Sequence, residues 1–272
     1  MTTDRLSAVG LLLGALALGA CGSSDEGRRA PDGDQAKVSL ATAAAGELQV
    51  ELLTDTRLET GLTAVYVKLT TSAGELVRDA TVALQPMMTM MGGISHSAPV
   101  LAEPARAAEG LYPWAVVFQM ASGAMGSWSA KVTVTRPGAT AAEASFEALT
   151  VADSGRAKVF SFTAPGAVMA TKVVASLNFT APPRVGLNPV IVTLHTMQDA
   201  LTFAPIEDAE LALDPQMPSM GHGSPGSVDP THSSLGRYEG KLSFSMADPW
   251  ETTLTISRGG ATLGAPKFET TF

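Results

Sequence analysis

The stretch YEGKLSFSM (Tyr238–Met246) is followed by WETTLTIS (Trp250–Ser257), and both alternate apolar with polar residues. Tyr238, Leu242, Phe244 and Met246 fall on one side of an extended chain, and Glu239, Lys241, Ser243 and Ser245 on the other. Trp250, Leu254 and Ile256 alternate in the same way with Glu251, Thr253, Thr255 and Ser257. A period of two predicts half-buried antiparallel strands.

Moving outward, a matching pattern occurs earlier in the chain. GLYPWAVVFQM (Gly110–Met120) matches GRYEGKLSFSM (Gly236–Met246), and WSAKVTVTRPGAT (Trp128–Thr140) matches WETTLTISRGGAT (Trp250–Thr262). GLTAVYVKL from Gly61 matches GLNPVIVTL from Gly186, and LQPMMTMMGG (Leu84–Gly93) matches LDPQMPSMGH (Leu213–His222). An internal repeat of this length divides the chain into two copies, at residues 36–150 and 157–272, joined by a polar turn at Asp153-Ser154-Gly155. No window carries a sustained helical stripe, and Gly and Pro punctuate the strands. The expected fold class is all-β, with two tandem immunoglobulin-like β-sandwich domains.

Composition narrows the function. The chain has 272 residues, of which 16% are charged, with a net charge of −8; a typical charged share is ~25%. A nucleic-acid binder needs a basic face, so polyanions are not the expected partner. There is one cysteine, which excludes an intramolecular disulfide and a thiolate zinc cluster. It is Cys21, at the end of MTTDRLSAVGLLLGALALGAC, where an apolar run from Leu6 to Leu18 reads as a secretion signal. Leu18-Gly19-Ala20-Cys21 resembles the bacterial lipobox, which implies cleavage before Cys21 and acylation of its thiol. Residues 1–20 are then a lipoprotein signal peptide and 21–35 a flexible tether rich in Gly, Ser, Asp and Pro. Gly22 after the cysteine, by resemblance to the enterobacterial sorting rule, implies the outer membrane. The expected location is the cell envelope, facing an oxidising periplasm.

Twelve methionines stand against four histidines. Excluding Met1, nine of the remaining eleven lie at matched places in the two copies: Met87, Met88, Met90, Met91, Met120 and Met125, then Met217, Met220 and Met246. Loops are expected over Pro86–Gly93 and Pro215–Gly223. A thioether is a soft, neutral ligand suited to Cu(I), imidazole serves both copper states, and hard cations would need carboxylates that these stretches lack. Met217-x-x-Met220-x-His222 lets a turn bring two sulfurs and a nitrogen together, with Pro218 and Gly221 supplying the turn. The candidate metal ligands are Met217, Met220, His222, His232 and Met246 in the second copy, and Met88, Met91, His96 and Met120 in the first. Met120 and Met246 fall on the inward face of their strands, where packing suits them as well as ligation. His195, in VTLHT, reads as a half-exposed strand residue and no ligand.

The pattern P-x-M-x-x-M-G-H, then G-x-Y, F-x-M and a Trp-initiated strand, resembles the YtkA-like domain, related to FixH-like periplasmic modules. That resemblance implies a small envelope β-sandwich, often a lipoprotein, with members linked to copper delivery for cytochrome oxidase assembly. Carried over, it implies Met217, Met220, His222 and Met246 as copper ligands, and a protein copper acceptor such as an oxidase subunit as partner. The first copy departs from the pattern: Gly93 stands at the place of His222 and Thr89 at that of Pro218, with His96 further along. The alternative is a metal-free interaction module whose Met-rich stretches contact another envelope protein.

An enzyme is not expected. Gly221-His222-Gly223-Ser224-Pro225-Gly226 satisfies G-x-G-x-x-G, but Pro230 and Thr231 follow it and no βαβ context exists. No nucleophile elbow, H-E-x-x-H helix or P-loop is present.

Overall fold

The computed structural model describes residues 37–101, 110–163 and 168–272. Cys21, the signal segment and the tether lie outside the described residues. All the regular structure described is β. Residues Ala36–Phe272 form one compact unit containing two large cores and a smaller one.

In the first copy, a five-stranded sheet runs in the order Val38–Ala45, Leu48–Thr54, Gly61–Thr70, Leu111–Phe118, Val100–Leu101. It faces a four-stranded sheet ordered Ala142–Leu149, Gly126–Thr135, Thr81–Met90, Ser95–Ser97. Alternation fills the space between them: Val65, Val67 and Leu69 from one sheet meet Val82, Leu84, Met88, Trp128, Val132 and Val134 from the other in a single core. In the second copy the sheet Ala157–Phe162, Thr171–Phe179, Gly186–Met197, Arg237–Phe244, Val228–Ser234 packs on His222–Gly223, Glu210–Met217, Trp250–Arg258 and its partners. Its core joins Leu177, Val190, Val192, Leu242 and Phe244 to Leu213, Met217, Trp250, Leu254 and Phe268. Both copies are β-sandwiches.

One tyrosine pins each sandwich in the same way. The Tyr112 hydroxyl donates to the Val77 carbonyl (3.2 Å) and accepts from the Ala80 N–H (3.2 Å). Tyr238 does so with Ile206 (2.8 Å) and Ala209 (3.1 Å). Burial raises both phenol pKa values.

The two sandwiches meet on the outer face of the Thr171–Phe179 and Gly186–Met197 strands. Val174 packs there with Leu101 and Val117 of the first copy. Asn178 accepts the Leu62 N–H at 2.9 Å, and its amide donates to Ser176 Oγ at 2.8 Å. Ser176 is in turn bonded to Thr193 at 2.6 Å. The joining turn is tied down as well: Thr60 Oγ1 donates to Asp153 (3.1 Å) and accepts from the Ser154 N–H (2.9 Å).

His195 belongs to this face. It lies opposite Val174 in the ladder, so their side chains share one side of the sheet. The half-exposed reading fails: His195 is 4% exposed, because the outer face of its sheet is covered instead of solvated. Its Nδ1 has no partner among the described residues. Burial lowers its pKa from 6.5 to about 4, against a smaller opposing effect from a hydrogen bond to the backbone of Leu235. Leu235, at φ 49°, and Gly236, at φ 72°, form the two-residue turn of the hairpin, and both take the positive φ that a type I′ turn requires.

Candidate functional site

The stretches expected to be loops are largely strand. Thr81–Met90 and Glu210–Met217 continue in regular alternation past their prolines, placing Pro86 and Met88, and Pro215 and Met217, inward. The chain then reverses and adds a very short edge strand, Ser95–Ser97 in the first copy and His222–Gly223 in the second. Each edge ladder ends just before the proline, whose missing N–H cannot extend it.

That confined ladder brings the chemistry together. Met88 pairs with His96, and Met217 pairs with His222. On its other side Met88 pairs with Trp128, and the register Gln216 to Glu251 carries Met217 opposite Trp250. Directly opposed residues of a sheet share a face with Cβ atoms about 4.5–5.5 Å apart. Each copy therefore holds a row of imidazole, thioether and indole along the inner rim of one sheet.

The rows agree in detail. The imidazole of His96 meets the Trp128 ring edge-on, with centroids 5.8 Å apart, and His222 meets Trp250 at 6.1 Å. His96 Nδ1 lies 2.8 Å from the Ser97 carbonyl and His222 Nδ1 lies 3.0 Å from that of Gly223. A carbonyl only accepts, so Nδ1 carries the proton and Nε2 of the neutral ring keeps its lone pair. The indole N–H of Trp128 donates to the Met120 carbonyl at 2.9 Å, and that of Trp250 to the Met246 carbonyl at 3.1 Å. The backbone of a further methionine is thereby held beside each row. Phe118 and Phe244 pack on the two indoles at 5.0 and 5.4 Å.

Exposure separates the methionines into two kinds. Met88 and Met217 are fully buried. Met120 is half-buried and packs against the first core, as an inward residue does. Met246 is exposed because its strand has ended at Phe244, which corrects its inward placement. Met220, Met91 and Met125 are exposed on the turns. In the second copy Ser219 Oγ donates to Asp248 at 2.7 Å, tying the Met220 turn to the segment after Met246. In the first, the Met91 N–H donates to the Met125 carbonyl at 3.1 Å and makes the same link.

Two expectations need correction here. His232 is not part of the cluster: it lies opposite Tyr238, stacked edge-on at 5.2 Å and 3.8 Å from Glu207. From Tyr238 to Phe244 the strand runs about 20 Å at ~3.3 Å per residue, so His232 is at the far end of the sandwich from Met246. The place of His222 is filled in the first copy by His96, not by Gly93, which lies in the turn. His96 follows Met88 by eight positions and His222 follows Met217 by five, so the first turn is longer and the ladder resumes after it. The two tryptophans were visible as strand-initiating residues, but their place beside the histidines was not. That signal lay in the indole-to-methionine carbonyl bond, which has no sequence signature.

Among the described residues no group of three His, Cys, Asp or Glu side chains is arranged to hold a metal. Each row instead pairs one imidazole with one buried thioether, and the other methionines stand on the adjoining turns and strand ends, a soft set of residue types.

Residues 168–255 match the YtkA-like family profile. The YtkA-like segment contains Met217, Met220, His222, Met246 and Trp250. No curated protein matches the chain. Among solved structures, the Escherichia coli adhesin FdeC is 15% identical over 85% of this chain and 65% of its own, with a TM-score of 0.27. The chain thus spans less than two thirds of that adhesin.

Proposed function

We propose that this protein is a lipid-anchored envelope protein that binds Cu(I) through the second copy's imidazole and thioethers, for storage or for transfer to a protein acceptor. The observation that carries the reading is the row His222, Met217, Trp250, in which the proton on Nδ1 leaves Nε2 as a donor beside a buried thioether. Soft neutral donors favour Cu(I) and resist the oxidation that would consume thiolates in an oxidising compartment. Met220, 62% exposed, and Met246, 44% exposed, supply outer sulfurs that an acceptor can displace one at a time, while Met217 holds from beneath. Cys21 supplies the anchor, and a partner such as an oxidase subunit receives the ion. The chemistry is binding and exchange, not catalysis.

A metal-free interaction module is the second reading. It is favoured by the exposed apolar tip of the first copy, where Met91, Ile94 and Met125 are 77%, 68% and 57% exposed.

Anaerobic titration of Cu(I) into the full chain against a chromophoric chelator tests the first reading. Competition at micromolar protein is expected, and its loss when Met217, Met220 and His222 are changed to Leu, Leu and Ala. Absence of competition by the unaltered chain overturns copper binding; unchanged binding in the triple variant overturns the ligand assignment.

A further inference from the structure

We infer that the first copy holds a second Cu(I) site, built on His96, Met88 and Met120, so that one chain binds two ions. The inference rests on the copper reading above and extends it to residues outside the 168–255 match.

Read linearly, the first copy lacks the histidine, since Gly93 falls where His222 is expected. The ladder restores it. Met88 pairs with His96 as Met217 pairs with His222, despite a longer turn between them. His96 is seated edge-on to Trp128, its Nδ1 proton is held by a backbone carbonyl, and Trp128 holds the backbone of Met120, which packs half-buried against the core. Each of these contacts has its equal in the second copy, so the row is reproduced where the linear text differs. A rim position that only shielded the indole would be better filled by an aliphatic side chain, which has no ring nitrogens to satisfy. The imidazole instead spends one nitrogen on the Ser97 carbonyl and keeps the other as a donor. The first copy also carries more methionine at this end: Met90 packs against the core, and the backbones of the exposed Met91 and Met125 are bonded at the tip.

Stoichiometry tests this directly. The full chain, titrated anaerobically with Cu(I) against the chelator, is expected to take up two ions. His96→Ala and His222→Ala are each expected to take up one, and the double variant none. His96→Asn, which keeps an N–H donor for the Ser97 carbonyl but offers no imidazole nitrogen, separates loss of a ligand from loss of structure: one ion with an unchanged thermal midpoint supports the site. In a chain carrying Trp114→Phe and Trp250→Phe, which leaves Trp128 as its single tryptophan, Cu(I) is expected to quench the indole fluorescence, and His96→Asn to abolish that quenching. One ion bound, lost in His222→Ala and indifferent to His96→Asn, overturns the second site and leaves the first reading intact. No ion bound by the unaltered chain overturns both.

Discussion

The hairpin ends of the two copies reach one arrangement by different routes. The second makes a tight turn, with five positions from Met217 to His222, and leaves Met220 alone at its tip. The first spends eight positions between Met88 and His96 and exposes Met91 and Ile94 on the way. Yet the histidine, methionine and tryptophan line up across three strands in both. The row is set by the ladder and the proline that ends it, and turn length is free to vary outside it.

The largest effect expected from breaking the comparison comes at the indoles. Trp128→Ala and Trp250→Ala each remove a fully buried side chain and the hydrogen bond that fixes Met120 or Met246. Each is expected to cost about 3–5 kcal/mol in denaturant unfolding. A much smaller cost at one of them would show that the two cores are not built alike.

Acid should separate the copies next. His195 has a folded pKa of about 4 against 6.5 for the exposed group, so between those values the unfolded chain takes up the proton and the folded one does not. Stability is therefore complete above pH ~6.5 and falls by about 3 kcal/mol as the pH drops toward 4. The matching place in the first copy is Thr70, which has no such response. His195→Leu is expected to remove this part of the pH dependence, measured as unfolding midpoints between pH 7 and 4.

A third change touches the first copy alone. A Cβ on Gly126 would lie 2.4 Å from the Thr89 carbonyl oxygen and 3.0 Å from Met88 Cε. Gly126→Ala is expected to cost about 1–3 kcal/mol and to displace Met88, weakening the His96 row and sparing that of His222.

Smallest in stability are Met88→Leu and Met217→Leu, which nearly conserve volume and are expected to cost less than about 1.5 kcal/mol each. Each should still weaken Cu(I) binding in its own copy by about tenfold or more, read by chelator competition. Unchanged affinity would mark the buried thioethers as packing alone.

Much of the architecture was legible in the sequence because alternation reports a half-buried sheet directly, as at Trp250, Leu254 and Ile256. Alternation misled where its premise failed. His195 lies in a strand buried on both faces, since Leu101 and Val117 of the first copy cover the outer one. The site was legible as residue types and only partly as places. Met217 and His222 lie together as their spacing suggested, whereas His232 is carried to the opposite end by a strand whose course spacing does not encode. His96 was obscured by a turn of different length, and only the pairing register identifies its partner.

X-ray absorption at the copper edge of the Cu(I)-loaded full chain reads the ligands of the bound ion. The expected first shell has one imidazole nitrogen and at least two thioether sulfurs, with sulfur scattering reduced in Met217→Leu and Met220→Leu. A shell of oxygen and nitrogen alone, unaltered by those substitutions, would contradict it.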